Sequence, residues 1–415
     1  MKTASKIISW LSIAIALATA FSIVYVPSFS AFFLTILLVN LLLPVVFFKG
    51  HGKPALVICR LLVGGLFIFS SFTKGVDPVG TKYKMLDYFA AYNIEWLNNF
   101  ALILAIGMIL AEFLVGICLF TNIFSRIAVL GATLLMLFFT TTTLFDALYN
   151  MVPDCGCFGT AVKMSNWQTF YKNLVIDAVL LPLIIHNKQL GNKLAWRTEF
   201  CIACIYAFLF LAFQMYNYLH LPIIDFMNWK VGHQMKQETE PQRIYLTYRN
   251  KTTGEEKEYV SPDYPWNDTA WLSQWEFVDQ RTEGGNTYIG FTAYDADGND
   301  VTDMILSTEK LLMFTFSDIN NVKESYWDKM EDIAQSASQK SFNVIWLTEA
   351  QPSTIDTIHD IHPFVDEVYY GDVLEIKTIV RFNPGLIYLD DGLVVDKWSA
   401  IDFPQGDKLN TLLEK

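Results

Sequence analysis

The 415-residue sequence predicts an α-helical membrane bundle of about seven transmembrane helices followed by a soluble α/β domain. Three observations predict this: repeated apolar runs long enough to cross a bilayer, a sharp division of charge along the chain, and strands alternating with amphipathic helices toward the C-terminus.

The apolar runs fall at about 7–26, 31–48, 55–72, 100–120, 127–145, 170–185 and 199–219. Each is roughly long enough to cross a hydrocarbon core of about 30 Å. The first has the basic start and small-residue stretch of a cleavable signal, but its apolar character continues through Val26, beyond a usual h-region, so a retained helix is expected. Lys2 and Lys6, then Lys49, Lys53 and Arg60, then Arg126, then Lys188, Lys193 and Arg197 occupy alternate connections. The positive-inside rule makes those sides cytoplasmic. The N-terminus is then cytoplasmic, the 73–99 and 146–169 loops face the periplasm, and the chain beyond 219 is periplasmic, as in a multi-pass inner-membrane protein. Lys74, Lys82, Lys84 and Lys163 break the rule, which holds by majority.

Residues 1–220 hold 14 Lys+Arg and 8 Asp+Glu, whereas residues 221–415 hold 16 and 34. An acidic, water-soluble portion therefore follows the membrane portion. Its charge argues against nucleic acid or anionic lipid as its partner. The expected divisions are two N-terminal spans (1–54), a four-helix core (55–186), a seventh span (187–220), a linker and β-rich extension (221–309), and an α/β unit (310–415). A hinge is expected at 221–242, where Pro222, Gly232 and a Gln/Glu/Pro stretch interrupt the pattern.

In the soluble half, alternation over 243–249 and 257–260 about an Asn250–Gly254 turn reads as a hairpin. Residues 290–294, 295–298 and 301–305 read as strand, turn and short element. From Lys310 the expected order is strand 311–316, helix 321–339, strand 342–348, helix 353–361, strand 367–370, helix 373–380, strand 385–389, an Asp391-Gly392 turn and strand 393–397. Val322, Tyr326, Met330, Ile333 and Ala337 recur at helical spacing and mark a buried stripe. This order resembles a thioredoxin-like fold over roughly the last hundred residues. The resemblance implies a Cys-x-x-Cys after the first of these strands, faced by a cis proline. The loop here is Ser317-Asp318-Ile319-Asn320-Asn321, and Asn383-Pro384-Gly385 stands at the proline position. No cysteine occurs in 221–415, so this half cannot do dithiol chemistry by itself.

All six cysteines lie in the membrane half. Cys59, Cys118, Cys201 and Cys204 fall near the cytoplasmic ends of their spans, and only Cys155 and Cys157 face outward. In Asp154-Cys155-Gly156-Cys157-Phe158-Gly159 two thiols separated by glycine can close only a small, strained and exchangeable disulfide ring, and the glycines permit a tight turn. A redox pair, half of a thiolate metal site and a plain structural turn all fit the motif. No cysteine or histidine adjoins it to complete a metal site, and no metal is expected. Cys201 and Cys204 share a helix face and form a second candidate pair, although cysteine within an apolar span is ordinarily a small hydrophobe. His51, His186, His220, His233, His359 and His362 are scattered, and there is no hydrolytic triad or phosphate loop.

Ionisable groups inside spans are functional candidates. Arg60 and Glu112 lie at depths that would let them meet. Asp177, near the middle of its span, has no obvious partner and must be neutral or face a polar cavity. Thr140–Thr143 and Asp146 add polar groups near the Cys155 turn.

The run from Arg60 through Gly64-Gly65, Ser70-Ser71 and Lys74-Gly75 to Asp77-Pro78, with the later Asp154–Gly159 motif, resembles the DoxX-like superfamily and, within it, the four-helix MauE-like proteins, over about 55–185. The whole chain is similar to an uncharacterised bacterial DoxX family fused to an exported thioredoxin-like domain, with a linker like Asp225–Gly232. The resemblance implies disulfide maturation of exported or envelope proteins bearing thiols, with roles for Cys155 and Cys157 and supporting roles for Arg60, Lys74 and Glu112; Asp177, as an ionisable group inside a span, and Asp154, beside the pair, are further supporting candidates. Some DoxX-like proteins are subunits of quinone-linked oxidoreductases, which keeps a quinone in view. The alternative function is a non-enzymatic, membrane-anchored interaction protein of the cell envelope.

Overall fold

Hydropathy dictates the architecture of the first half. The computed structural model describes residues 52–415 except 153–155, 158, 160, 163, 192–193, 237–242, 261–268, 284–290, 365–366 and 415. Two units follow one another along the chain, Met1–Met227 and Asn228–Lys415. The first contains five described helices long and apolar enough to cross a membrane, Ala55–Val76, Glu95–Thr121, Ser125–Tyr149, Asn166–Ile185 and Trp196–Leu219. These correspond to the last five of the seven expected spans; the runs at 7–26 and 31–48 lie outside the described residues. At about 1.5 Å per residue even the shortest spans about 30 Å.

Helix α1 (Gly52–Val76) runs into α2 (Pro78–Ala91), and a 3₁₀ turn (Glu95–Phe100) leads into α3 (Ala101–Thr121). Then come α4 (Ser125–Tyr149), α5 (Asn166–Ile185) and α6 (Trp196–Leu219). The expected 73–99 connection is thus largely helical. Asp77 caps α2 by accepting from the Gly80 N–H at 2.8 Å, and Pro78 fills the first helical position, where a missing N–H costs nothing. A capping box between Ser165 and Gln168 starts α5.

Small residues let α1 and α3 cross closely. A Cβ on Gly64 would stand 2.8 Å from the Gly116 carbonyl and the Phe120 amide, and one on Gly116 would stand 2.8 Å from the Ile68 amide. With no hydrophobic drive between helices in lipid, such backbone approach supplies the packing. On one side of the crossing Leu56, Cys59, Val63, Cys118, Leu119, Ile123, Ala128, Leu180 and Leu183 form an apolar cluster. The same end carries Arg126, whose guanidinium donates to the Leu190 and Lys188 carbonyls, and Glu199 near the start of α6, which accepts from the Phe124 amide at 3.4 Å. The other end holds the polar groups taken up below.

In the second unit β1 (Arg243–Asn250), β2 (Glu256–Val260) and β3 (Trp275–Glu283), with α7 (Thr269–Gln274) before β3, form an antiparallel sheet in the order β2-β1-β3. The expected hairpin is present as β1 and β2; β3 escaped the sequence reading. Leu246, Tyr248 and Trp275 pack with Tyr259 and Trp271 as its small core.

A six-stranded sheet has the order β4-β7-β6-β5-β8-β9, from β4 (Ala293–Tyr294), β5 (Leu311–Phe316), β6 (Asn343–Thr348), β7 (Glu367–Gly371), β8 (Gly385–Asp390) and β9 (Leu393–Ser399). Its helices are α8 (Thr302–Leu306), α9 (Glu324–Ser338), α10 (Pro352–His359), α11 (Val373–Ile379) and α12 (Asp407–Leu413). Strand β5 pairs parallel with β6 and antiparallel with β8, and every β5 residue is buried. That explains its continuous apolar run rather than alternation. Leu312, Phe314 and Phe316 join Trp327, Met330, Ile333, Ala334 and Ala337 of α9 in one core. The expected stripe shifts slightly: the helix begins at Glu324, so Val322 precedes it, Tyr326 is half-buried and Trp327 takes the inward position.

The expected 221–242 hinge holds less free chain than its composition suggests. Gly232 donates to the Val394 carbonyl and Val394 to that of His233, which lays residues 232–235 along β9. The Ser317–Asn321 loop is tied down as well. Asn383 Oδ1 accepts from the Ser317 and Asp318 amides, its Nδ2 donates to the Asp318 carbonyl at 2.7 Å, and the Asn383–Pro384 peptide is cis.

Candidate functional site

The polar end of the membrane unit is built from helices α1 to α5 and the cysteine turn. On α1, Ser70 and Lys74 are four residues apart and share a face. Across the crossing, α3 presents Glu112. Lys74 Nζ lies 2.8 Å from both Glu112 carboxylate oxygens, and only 5 % of Lys74 and 2 % of Glu112 is exposed. Lys74 Nζ also sits 5.3 Å from the centre of the Phe139 ring on α4. A charge buried in a span is tolerable only when paired, and here each charge compensates the other.

Glu112 therefore pairs with Lys74, which corrects the expected meeting with Arg60. Helices α1 and α3 are antiparallel and cross at Gly64 and Gly116, so Arg60 falls opposite the end of α3, where its guanidinium donates to the Leu119 carbonyl at 2.9 Å. Glu112 is seven residues from Leu119, about 10 Å along the helix. Lys74 reaches it because long helical side chains lean toward the N-terminus.

The cysteine turn rests on this pair. Ser70 Oγ donates to the Cys157 carbonyl at 2.9 Å and lies 3.4 Å from Glu112 Oε1. The Gly159 amide donates to the Gly156 carbonyl at 2.9 Å, closing the turn. Both glycines have positive φ, 62° and 56°. A Cβ on Gly159 would stand 3.2 Å from the Thr73 carbonyl, so the turn lies directly on the last turn of α1. Cys157 is half-buried; Cys155 and Asp154 lie outside the described residues.

A second polar group lines the seam between α4 and α5. Tyr88 of α2 donates its hydroxyl to Asp146 Oδ2 at 2.6 Å, while Asp146 Oδ1 is buried without a hydrogen-bond partner among the described residues. Burial first, and then the neighbouring Asp146, push the Tyr92 phenol upward. Asn166 Nδ2 faces the Asp146 carbonyl, Asn150 Oδ1 and the Val152 carbonyl at 3.3, 3.1 and 3.0 Å, tying the end of α4 to the loop that follows. Deeper in the seam Asn173 donates to Thr143 at 3.1 Å. Asp177 does have a partner: Thr140 donates to its Oδ2 at 2.8 Å. An open groove of about 510 Å³, lined by Tyr92, Phe145, Tyr149 and Met151, lies beside this seam.

Cys201 and Cys204 are exposed on α6, whereas Cys59 and Cys118 are buried together in the apolar cluster at the opposite end from Cys157. Among the described residues no cluster of three or more His, Cys, Asp or Glu side chains could hold a metal ion. Sequence reasoning singled out Lys74, Glu112, Asp146 and Asp177, but missed Ser70, Tyr88, Asn166 and Asn173. Repeats of four between Ser70 and Lys74, and of seven between Asn166 and Asn173, were the available signals.

Residues 52–186, about a third of the chain, match the family described as methylamine utilisation protein MauE. The match spans α1 to α5 and contains the ion pair, the cysteine turn and the seam. No curated protein and no solved structure matches the chain.

Proposed function

We propose that this membrane protein exchanges disulfides with exported or envelope proteins through Cys155 and Cys157, and that the second unit, a thioredoxin-like module without cysteines, recruits the partner. The observation that carries the reading is the placement of Cys157. It sits half-buried on a tight glycine turn fastened to α1 beside the buried Lys74–Glu112 pair, inside the segment that matches the MauE family. The charge pattern of the sequence supports a periplasmic position for this turn and for the acidic second unit at the inner membrane.

The exchange balances without a further reagent. A thiolate attacks a sulfur of the partner's disulfide, one S–S bond forms as the other breaks, and the leaving sulfur takes up a proton. Attack by the second thiolate then releases the partner as a dithiol. The pair has lost two electrons and the partner has gained them; the reverse sequence oxidises the partner. Cys201 and Cys204, exposed at the other end, have no part in this step.

A second reading is favoured by the second unit itself. Its Ser317–Asn321 loop carries no cysteine and is clamped by Asn383, as suits an anchoring module of an envelope assembly. Trapping separates the two. Cys157→Ser should accumulate mixed disulfides through Cys155, or Cys155→Ser through Cys157, and both should vanish in the double variant. Unchanged thiol status of exported proteins in the double variant, with no adducts in either single variant, would leave the anchoring reading.

A further inference from the structure

We infer that the α4–α5 seam holds a proton, carried on Asp146 Oδ1 and shared with Asn166 Oδ1, so that this carboxyl group is a neutral donor. The inference is independent of the exchange reading, which gives Asp146 no step. Donors and acceptors do not match at this place. Asp146 is 1 % exposed, and its Oδ2 accepts from the Tyr88 hydroxyl at 2.6 Å. Its Oδ1 is buried without a hydrogen-bond partner among the described residues, and so is Asn166 Oδ1. The two residues are neighbours, since Asn166 Nδ2 lies 3.3 Å from the Asp146 carbonyl. That nitrogen also faces Asn150 Oδ1 and the Val152 carbonyl, so turning the amide over would aim Oδ1 at three oxygens. An ionised Asp146 would therefore stand beside a second acceptor that has no donor, and among the described residues no cation pairs with it. Burying a charge in that way is costly, and a carboxylate escapes the cost by taking up a proton.

A proton, a water molecule or a metal ion could supply what is missing. Neither oxygen leaves room for a water molecule against it, and a metal ion needs comparable space with several oxygens around it. A proton needs none. Placed on Oδ1 it satisfies both orphaned atoms at once: the Asp146 hydroxyl donates to Asn166 Oδ1, while Oδ2, now the carbonyl oxygen, keeps the Tyr88 bond. The Val152 N–H also faces this carboxyl group, and a hydroxyl oxygen can accept from it while donating. Tyr88 and Tyr92 of α2 are the titratable groups set against Asp146, and α5 meets it with the Asn166 amide, which does not titrate. The negative charge that acts on the Tyr92 phenol develops only once this proton has left. In the neutral form one network joins α2, the end of α4, the start of α5 and the 150–152 loop that leads into the cysteine turn. Ionisation would set two acceptors against each other at its centre.

Infrared spectroscopy of the full-length protein in lipid bilayers at neutral pH tests this, with carbon-13 aspartate to separate aspartate bands from those of glutamate. The unsubstituted protein should show a protonated-carboxyl C=O band that moves on aspartate labelling and is lost in Asp146→Asn. Asn166→Leu should shift the same band upward in frequency because the hydroxyl loses its acceptor, and Tyr88→Phe should do so because the carbonyl oxygen loses its donor. Thr140→Val, which removes the hydrogen bond to Asp177, should leave it in place. Should Asp146→Asn fail to fold, an aspartate band moved by both Tyr88→Phe and Asn166→Leu but not by Thr140→Val identifies Asp146 without it. A spectrum in which Asp146→Asn removes no such band and Tyr88→Phe moves none means that the carboxylate is ionised, and overturns the inference. A band lost in Asp146→Asn but unmoved in Asn166→Leu overturns it as well, since the proton is then not shared with Asn166. None of these outcomes depends on whether the cysteines exchange disulfides.

Discussion

Neutralising Glu112 alone should damage this protein far more than removing the whole ion pair. In Glu112→Gln the Lys74 ammonium loses a partner that offers two oxygens at 2.8 Å and keeps its position, 5 % exposed, among Phe139, Ser70 and the cysteine turn. Leaving one charge of a buried pair uncompensated costs about 3–5 kcal/mol, and Lys74→Met should cost a similar amount because it strands the carboxylate. In K74M/E112Q no charge remains. The new amide can donate an N–H to Ser70 Oγ while that hydroxyl's own proton stays on the Cys157 carbonyl, and the loss should fall to about 1–2 kcal/mol, since a buried pair replaced by neutral groups of similar volume is often near neutral. Unfolding by SDS titration in mixed micelles measures all three. The informative quantity is the coupling between the two substitutions, expected to exceed about 3 kcal/mol. Single variants each costing under about 1 kcal/mol, or a double variant as damaged as their sum, would refute the reasoning: the pair would then be hydrated and loosely held.

Further substitutions at four positions probe the surroundings of the site. Gly159→Ala forces a side chain into φ 56° and 3.2 Å from the Thr73 carbonyl, so it should cost about 1–2 kcal/mol and raise the rate at which a maleimide labels Cys157. Asn166→Asp replaces a donor facing three acceptor oxygens by a further acceptor and should destabilise by about 2–3 kcal/mol in the same SDS titration, more than Asn166→Ala. Gly64→Ala meets backbone atoms at 2.8 Å that cannot give way, and should cost about 1–3 kcal/mol, whereas Gly107→Ala, with nothing within 4 Å, should be neutral or slightly stabilising. Equal effects at the two glycines would mean that α1 and α3 do not cross where these contacts place them.

What could be read from the sequence follows from how far each physical signal reaches. Five spans were legible because an apolar run of that length has few other stable fates, and the observed helices differ from the expected runs mainly in their ends. The order from β5 to β9 was legible for the same kind of reason: strand and helix periods differ, and the Asp391-Gly392 turn punctuates the last hairpin. Helix α2 was missed although Asp77-Pro78 is a helix-start signal, because a hydropathy scan takes a stretch with Lys82, Lys84 and Asp87 for plain loop. Strand β3 was missed because its Asp279-Gln280-Arg281 run carries no apolar alternation; it is held by pairing with β1 across a bulge.

The partners of buried charges are a different matter, because they depend on the register between helices. Depth alone placed Arg60 and Glu112 within reach of each other, yet the crossing at Gly64 and Gly116 sets them about two turns apart and gives Glu112 to Lys74. One residue of slip along α3 would rotate Glu112 by about 100° and take it off the face that meets Ser70. The two glycines that allow close approach thus also fix the register, and the register chooses the ion pair. The same register puts Ser70, a serine in an apolar span, where its hydroxyl touches both a buried carboxylate and the carbonyl of Cys157. A helix-crossing contact between residues without side chains therefore determines what surrounds the thiol, and a change at Gly64 should be felt at Cys157 although the two share no contact.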